Sequence, residues 1–155
     1  MIIIEAVDTG CWNAITGQRQ VVTVDECAAE LRRGDPSASG NVSVSEEDIS
    51  RASVVTLTPA AAAAFRLRYP DAHRLDAGER DLLALAGTVT AEFELCSSDR
   101  AAIAAACELG WLDRIVSLEV LASSVGARTR RRFKRQHTES HVAAWRTTLR
   151  MKDLT

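Results

Sequence analysis

The sequence predicts an α/β protein whose parallel sheet is covered on both faces by helices. Three observations lead there. Short β-branched apolar runs alternate several times with segments of helical periodicity, the order that builds parallel sheets. Capping residues precede many of the helical segments, and glycine or proline closes several. The chain has 155 residues, 46% of them apolar and 26% charged, with a net charge of −2. Those values suit one domain with its own core and exclude collagen-like, low-complexity and disordered classes.

The elements follow in order. Ile2, Ile3 and Ile4 form a run too short for periodicity to separate strand from buried helix. Trp12, Ala14 and Ile15 come next, and Gly17 breaks the pattern. Gln20–Val24 reads as a short buried strand. Thr23, with Glu26 three residues on, is a capping-box signature. The helix it opens should run to about Arg33 and stop at Gly34. Residues 34–45, rich in Gly, Ser, Asp and Pro, read as a loop and the place to expect disorder. Ser45 before Glu46, Glu47 and Asp48 opens a second helix with an acidic first turn. Val54, Val55 and Leu57 read as a strand, and Thr58-Pro59 opens an alanine-rich helix.

Tyr69-Pro70-Asp71 ends that helix. The next starts near Asp76-Ala77-Gly78-Glu79, with Leu82, Leu83 and Ala86 on one face. Phe93, Leu95 and Cys96 read as a buried strand. Ser97-Ser98-Asp99 caps another alanine-rich helix with Ile103, Ala106 and Cys107 inward, stopped by Gly110. Ile115, Val116 and Leu118 read as the last strand, and Glu119 through Val125 as the last helix of the body. The remainder, 128–155, reads as a basic tail with a helix carrying Val142, Trp145 and Leu149.

Charge is unevenly spread. Residues 1–127 hold 10 basic and 19 acidic side chains, net −9, whereas residues 128–155 hold 9 basic and 2 acidic ones, net +7. Arg128, Arg130, Arg131, Arg132, Lys134 and Arg135 crowd together around Phe133. Such a cluster suits a nucleic-acid backbone, and Phe133 could stack on an unpaired base. A solvated tail, or one docked on the acidic body, accounts for the same residues.

Cys11, Cys27, Cys96 and Cys107 lack metal-finger or redox spacing and read as small hydrophobes. His137 and His141, four apart, would share a helix face, but two ligands make no zinc site, and both read as surface histidines. His73 falls in a loop. The three tryptophans read as packing residues. No apolar run approaches the roughly 18 residues of a membrane span, and the start MIIIEAVDTG lacks signal-peptide features. A soluble cytoplasmic protein with no membrane partner is expected.

Open parallel sheets bind ligands beyond the carboxyl ends of their strands. Asp99, following the strand FELCSS, belongs at that crevice, although the same position suits a helix N-cap. Glu79 opens a helix and also reads as a first-turn acid. Glu30 lies late in its helix, where the dipole disfavours a carboxylate, and also reads as a solvated residue. Converging together, the three would form a site for a hard cation.

The stretches LDAGERDLLALA, ELCSSDRAAIAAACELG and RIVSLEVL, in that order, resemble the second half of a PIN domain. That family has a Gly-Glu opening one helix, then a strand ending in Ser/Thr-x-Asp-Arg, then a strand and helix. VVTVDECAAEL resembles its earlier strand and acid-ended helix, so the resemblance covers roughly residues 2–126. It implies a three-layer α/β/α sandwich with a central parallel sheet. It also implies a metal-dependent ribonuclease using magnesium or manganese, with Glu30, Glu79 and Asp99 as metal ligands and catalytic acids and Ser97 as the accompanying hydroxyl. RNA is the implied partner. Many such domains are toxins of toxin–antitoxin pairs, which adds an antitoxin protein, and homodimers are common in the family.

The family's first strand ends in an Asp, with Asn two residues later. Here IIIEAVDTGCW resembles the stretch just after it, Met1 stands about where the Asn would be, and Asp8 lies too far along to replace the Asp. The chain start is set late, or the chain is truncated, or the site is degenerate. In each case the sheet loses pairing for its central neighbours, and activity depends on restoring that Asp. Two alternatives follow: a non-catalytic RNA- or partner-binding module on the same fold, and an unrelated doubly wound domain that binds a small ligand at the crevice.

Overall fold

Hydrophobic spacing becomes nine α-helices and four short strands among the described residues, 1–33 and 43–153 of the computed structural model. In chain order they are α1 (Ile2–Thr9), α2 (Trp12–Gln18), β1 (Val22–Val24), α3 (Asp25–Arg33), α4 (Glu46–Ser50), β2 (Ser53–Val55) and α5 (Pro59–Arg68). Then come α6 (Ala77–Ala86), β3 (Leu95–Cys96), α7 (Arg100–Glu108), β4 (Ile115–Val116), α8 (Leu118–Ser124) and α9 (Glu139–Asp153). The expected Gly34 stop and the loop as far as residue 42 lie outside the described residues.

Local chemistry accounts for the boundaries. The isoleucine run is helical: Ile3 and Ala6 turn inward, and Gly10 ends α1 in the left-handed conformation at φ 82°. Gly17 does not break α2, which runs one residue past it. Two of the expected hydroxyl caps, Ser45 and Thr58, sit where the sequence places them, whereas Thr23 lies inside β1. Ser45 accepts from the Asp48 N–H at 3.1 Å, and Thr58 from the Ala61 N–H at 3.2 Å. Ser117 accepts from the Val120 N–H at 3.1 Å, so Leu118 opens α8 rather than continuing the strand. The strand beginning at Val54 stops at Val55, short of Leu57. Phe93 lies outside β3, whose two residues are half-buried.

The strands pair in parallel, β1 with β2 (Val22 opposite Ser53) and β3 with β4 (Leu95 opposite Ile115). They form two separate two-stranded sheets rather than one central sheet. The molecule is a mixed α/β protein with mostly helical content. Two apolar clusters fill it. One gathers Phe65, Leu83, Ile103, Trp111, Ile115 and Val142. The other gathers Ile3, Trp12, Ile15, Leu31, Ile49 and Leu118. Leu95 packs on the first and Cys96 on the second. Alternate residues of a strand face opposite ways, so the β3–β4 pair has a different cluster on each side. Trp12 and Trp111 are buried, as expected of packing residues, and the four cysteines are buried or half-buried.

The basic segment is only partly a free tail. Val142 is fully buried in the first cluster, and Arg146 Nη1 donates to the Ile115 carbonyl at 3.1 Å. Upstream, the Arg130 N–H donates to the Thr9 carbonyl at 2.8 Å. The Glu5 carboxylate, 2% exposed, accepts from Arg131 Nη1 and Nη2 at 3.1 and 3.0 Å and from the Lys134 N–H at 2.8 Å. Arg131 also binds Asp8, with Nε 2.7 Å from Oδ2. Burial raises the Glu5 pKa, but the Arg131 and Lys134 bonds outweigh it and hold the carboxyl below its ordinary value. Arg131 therefore straps the segment to α1.

His137 is the second correction in this segment. It sits in a 3-10 turn (Arg135–His137) ahead of α9 and is 2% exposed, so it shares no helix with His141 and is no surface histidine. Its Nδ1 has no hydrogen-bond partner. Burial pushes its pKa down to about 4, the positive charges of the N-terminus, Lys134 and Arg131 add to that, and Glu5 opposes it.

Two outcomes are expected. Arg131→Ala leaves the buried Glu5 only its Lys134 contacts and should cost about 3 kcal/mol in denaturant unfolding at pH 7. Glu5→Gln in the same background should recover part of it. His137 is neutral in the folded protein while the unfolded chain takes up a proton near pH 6.5. Its contribution is thus complete above that pH and is lost as the pH falls toward the folded pKa of about 4. Measured against His137→Phe at matched pH, the wild type should lose on the order of 2 kcal/mol between about pH 7 and 5.

Candidate active site

The three expected acids come from three segments. Glu30 is half-buried in the last turn of α3. Glu79 is the third residue of α6, and its carboxylate accepts from the backbone N–H of the cap residue Asp76. This is the reciprocal half of a capping box. Asp76 makes no side-chain cap bond itself. Between them, Gly78 lets α3 and α6 approach. A Cβ there would stand 2.8 Å from Cys27 Sγ and 3.5 Å from Glu30 Oε1. A side chain at this position would have to displace the Cys27 thiol, so the bare glycine is what lets the first turn of α6 lie against Cys27 and the Glu30 carboxylate.

Asp99 caps α7, as the alternative reading has it. Its Oδ1 accepts from the Ala101 and Ala102 N–H groups at 2.7 and 3.0 Å. Both bonds use one oxygen, so the cap and a ligand role do not compete for the same atom. Ser97 Oγ accepts from the Asp99 N–H at 3.2 Å, holding the turn that presents the carboxylate.

Electrostatics tie these positions together. Burial pushes the Glu79 carboxyl up to about 7. The negative charges of Asp99, Asp76 and Glu30 push it the same way, and the Asp76 N–H bond opposes them. Asp76 was not expected in this group. Its place two residues before Gly78, as the helix cap, was the available signal. The Cys27 thiol is pushed up to about 11, chiefly by burial and further by the charges of Glu30, Asp81 and Glu79, which makes it a poor nucleophile at neutral pH.

The donors available are carboxylate oxygens, the set a hard divalent cation takes. Crowded like charges are also what such a cation relieves. That chemistry fits magnesium or manganese, with Glu30, Glu79 and Asp99 as the residues that would hold it. As they stand, no three His, Cys, Asp or Glu side chains among the described residues are placed to enclose a metal ion.

Of the basic residues, Arg131 is committed to Glu5 and Asp8, while Arg128, Arg130, Arg132, Lys134 and Arg135 are exposed. Phe133 packs half-buried on the second cluster, so it is not an open stacking platform. Comparison with family models, with curated proteins and with solved structures returned no match. No helix among the described residues is long and apolar enough to cross a membrane.

Glu79 carries a pH signature. Its folded pKa lies above the unfolded value, so its contribution is complete below the ordinary carboxylate range and is lost as the pH rises through about 7. Glu79→Gln should therefore gain stability relative to wild type as the pH is raised from 5 to 8. A side-chain titration by NMR should place the Glu79 midpoint near 7, and a midpoint in the ordinary carboxylate range would remove the basis for grouping these acids.

Proposed function

We propose that the chain is a PIN-like ribonuclease that hydrolyses RNA phosphodiester bonds with magnesium or manganese. The observation that carries this reading is the elevated Glu79, charged against by Asp99, Asp76 and Glu30. Acids far apart in sequence share one neighbourhood at the positions the PIN resemblance assigns. The parallel pairing of the strands supports the finer fold, a three-layer sandwich. A cytoplasmic setting and an antitoxin partner belong to the same reading.

The protein's own residues have definite parts. Glu30, Glu79 and Asp99 would hold the cation, which when bound would supply activation of a water and neutralisation of phosphate charge. Glu79, whose pKa is pushed up to about 7 without the cation, would give up its proton when the cation binds, because only the carboxylate can serve as a ligand. Ser97 positions Asp99 through the turn. The exposed cations of 128–135 hold the strand by charge. A non-catalytic RNA-binding module is the second reading, favoured because no three acids stand close enough to enclose a metal among the described residues.

The test is cleavage of labelled single-stranded RNA with magnesium or manganese. It uses the chain as it is and a form preceded by a strand ending in Asp. The preceded form should cut. Asp99→Asn should lower the rate by more than the roughly 10–100-fold typical of losing an outer-shell partner. RNA binding with no cleavage by either form, and no effect of Asp99→Asn, would reject the nuclease in favour of the binding module.

A further inference from the structure

A cavity of about 330 Å³ opens between the end of α5, the 3-10 turn Pro70–Arg74 and the start of α6. Its lining is Arg66, Pro70, Ala72, His73 and Arg80. Three of the five are basic and none is acidic. The body around it, residues 1–127, carries a net charge of −9, so a concavity with no carboxylate in its lining stands out from its surroundings.

The cations are also poorly compensated. Arg66 has no carboxylate partner among the described residues, and Arg80 pairs with Asp81 at 3.6 Å, beyond hydrogen-bond distance. His73 Nδ1 lies 3.4 Å from the Pro70 carbonyl, which leaves Nε2 for a ligand. Two guanidinium forks and an imidazole around one open space match the donor pattern that tetrahedral phosphate oxygens accept. Arg80 follows Glu79 directly. Consecutive helix residues point about 100° apart, so the two side chains serve different sides of the same turn.

We propose that this cavity is a phosphate-binding subsite that seats a backbone phosphate of RNA beside the acidic group. The assignment to RNA rests on the nuclease reading, whereas the phosphate chemistry does not. An acidic body repels a polyanion, and a cationic notch one residue from Glu79 offsets that repulsion where the strand must approach.

The test is made without metal, so that cleavage plays no part. The full chain is titrated with inorganic phosphate and, separately, with a short oligouridylate, following the His73 ring signals by NMR and the affinity by calorimetry. Both ligands should move the His73 signals. Arg66→Ala and Arg80→Ala should each weaken oligouridylate binding by about tenfold, and Arg66→Lys should restore part of it. Both arginines lie on the surface side of their helices, and unfolding curves confirm that the variants fold. Unmoved His73 signals with both ligands, or oligouridylate affinity indifferent to both alanine variants, would overturn the proposal. Phosphate binding without oligouridylate binding would overturn the assignment to RNA. Binding as described in a chain that never cuts RNA would leave the subsite standing and remove the nuclease.

Discussion

The close crossing of α3 and α6 at Gly78 is the constraint on which the functional geometry depends. No side chain fits there, because a Cβ would meet Cys27 Sγ at 2.8 Å. That approach lays Glu30 over the first turn of α6 and adds its charge to those around Glu79. The same turn sends Arg80 to another side, where the cavity lining is cationic. The start of α6 thus carries an acidic residue and a basic one on different sides of one turn.

The second constraint joins the chain's ends. Glu5 on α1 is buried and would be costly as an unpaired charge. Arg131 and the Lys134 backbone satisfy it from a segment more than a hundred residues away in sequence. Together with α9, which buries Val142 and brings Arg146 to the Ile115 carbonyl, this makes residues 128–153 part of the folded unit. The acidic body and basic segment are two halves of one electrostatic arrangement. Arg131 and Lys134 are used inside it, and the exposed Arg128, Arg130, Arg132 and Arg135 remain for a polyanion.

Much of the architecture was legible because local chemistry decides it. Ser45, Thr58 and Asp99 cap helices where their side chains predict, whereas the Ser117 cap was hidden in an apolar run read as strand. The parallel order of the strands followed from their alternation with helices. What local pattern could not fix was long-range. Ile2–Ile4 has no decisive period and became helical through packing of Ile3 and Ala6. His137 looked like a surface residue because nothing nearby in sequence announces that α1 and the N-terminus cover it. Glu30, Glu79 and Asp99 could be named through a family resemblance, but Asp76 joins them only once the helix start is folded. Arg66, His73 and Arg80 are unremarkable in sequence, and only the packing of α5 against α6 gathers them.

The most direct measurement of the central claim is paramagnetic broadening of the protein's amide signals by manganese at substoichiometric concentration. The account predicts broadening centred on residues 30, 79 and 99, and much reduced in Asp99→Asn. Broadening centred elsewhere, or spread evenly over the acidic surface, would contradict it.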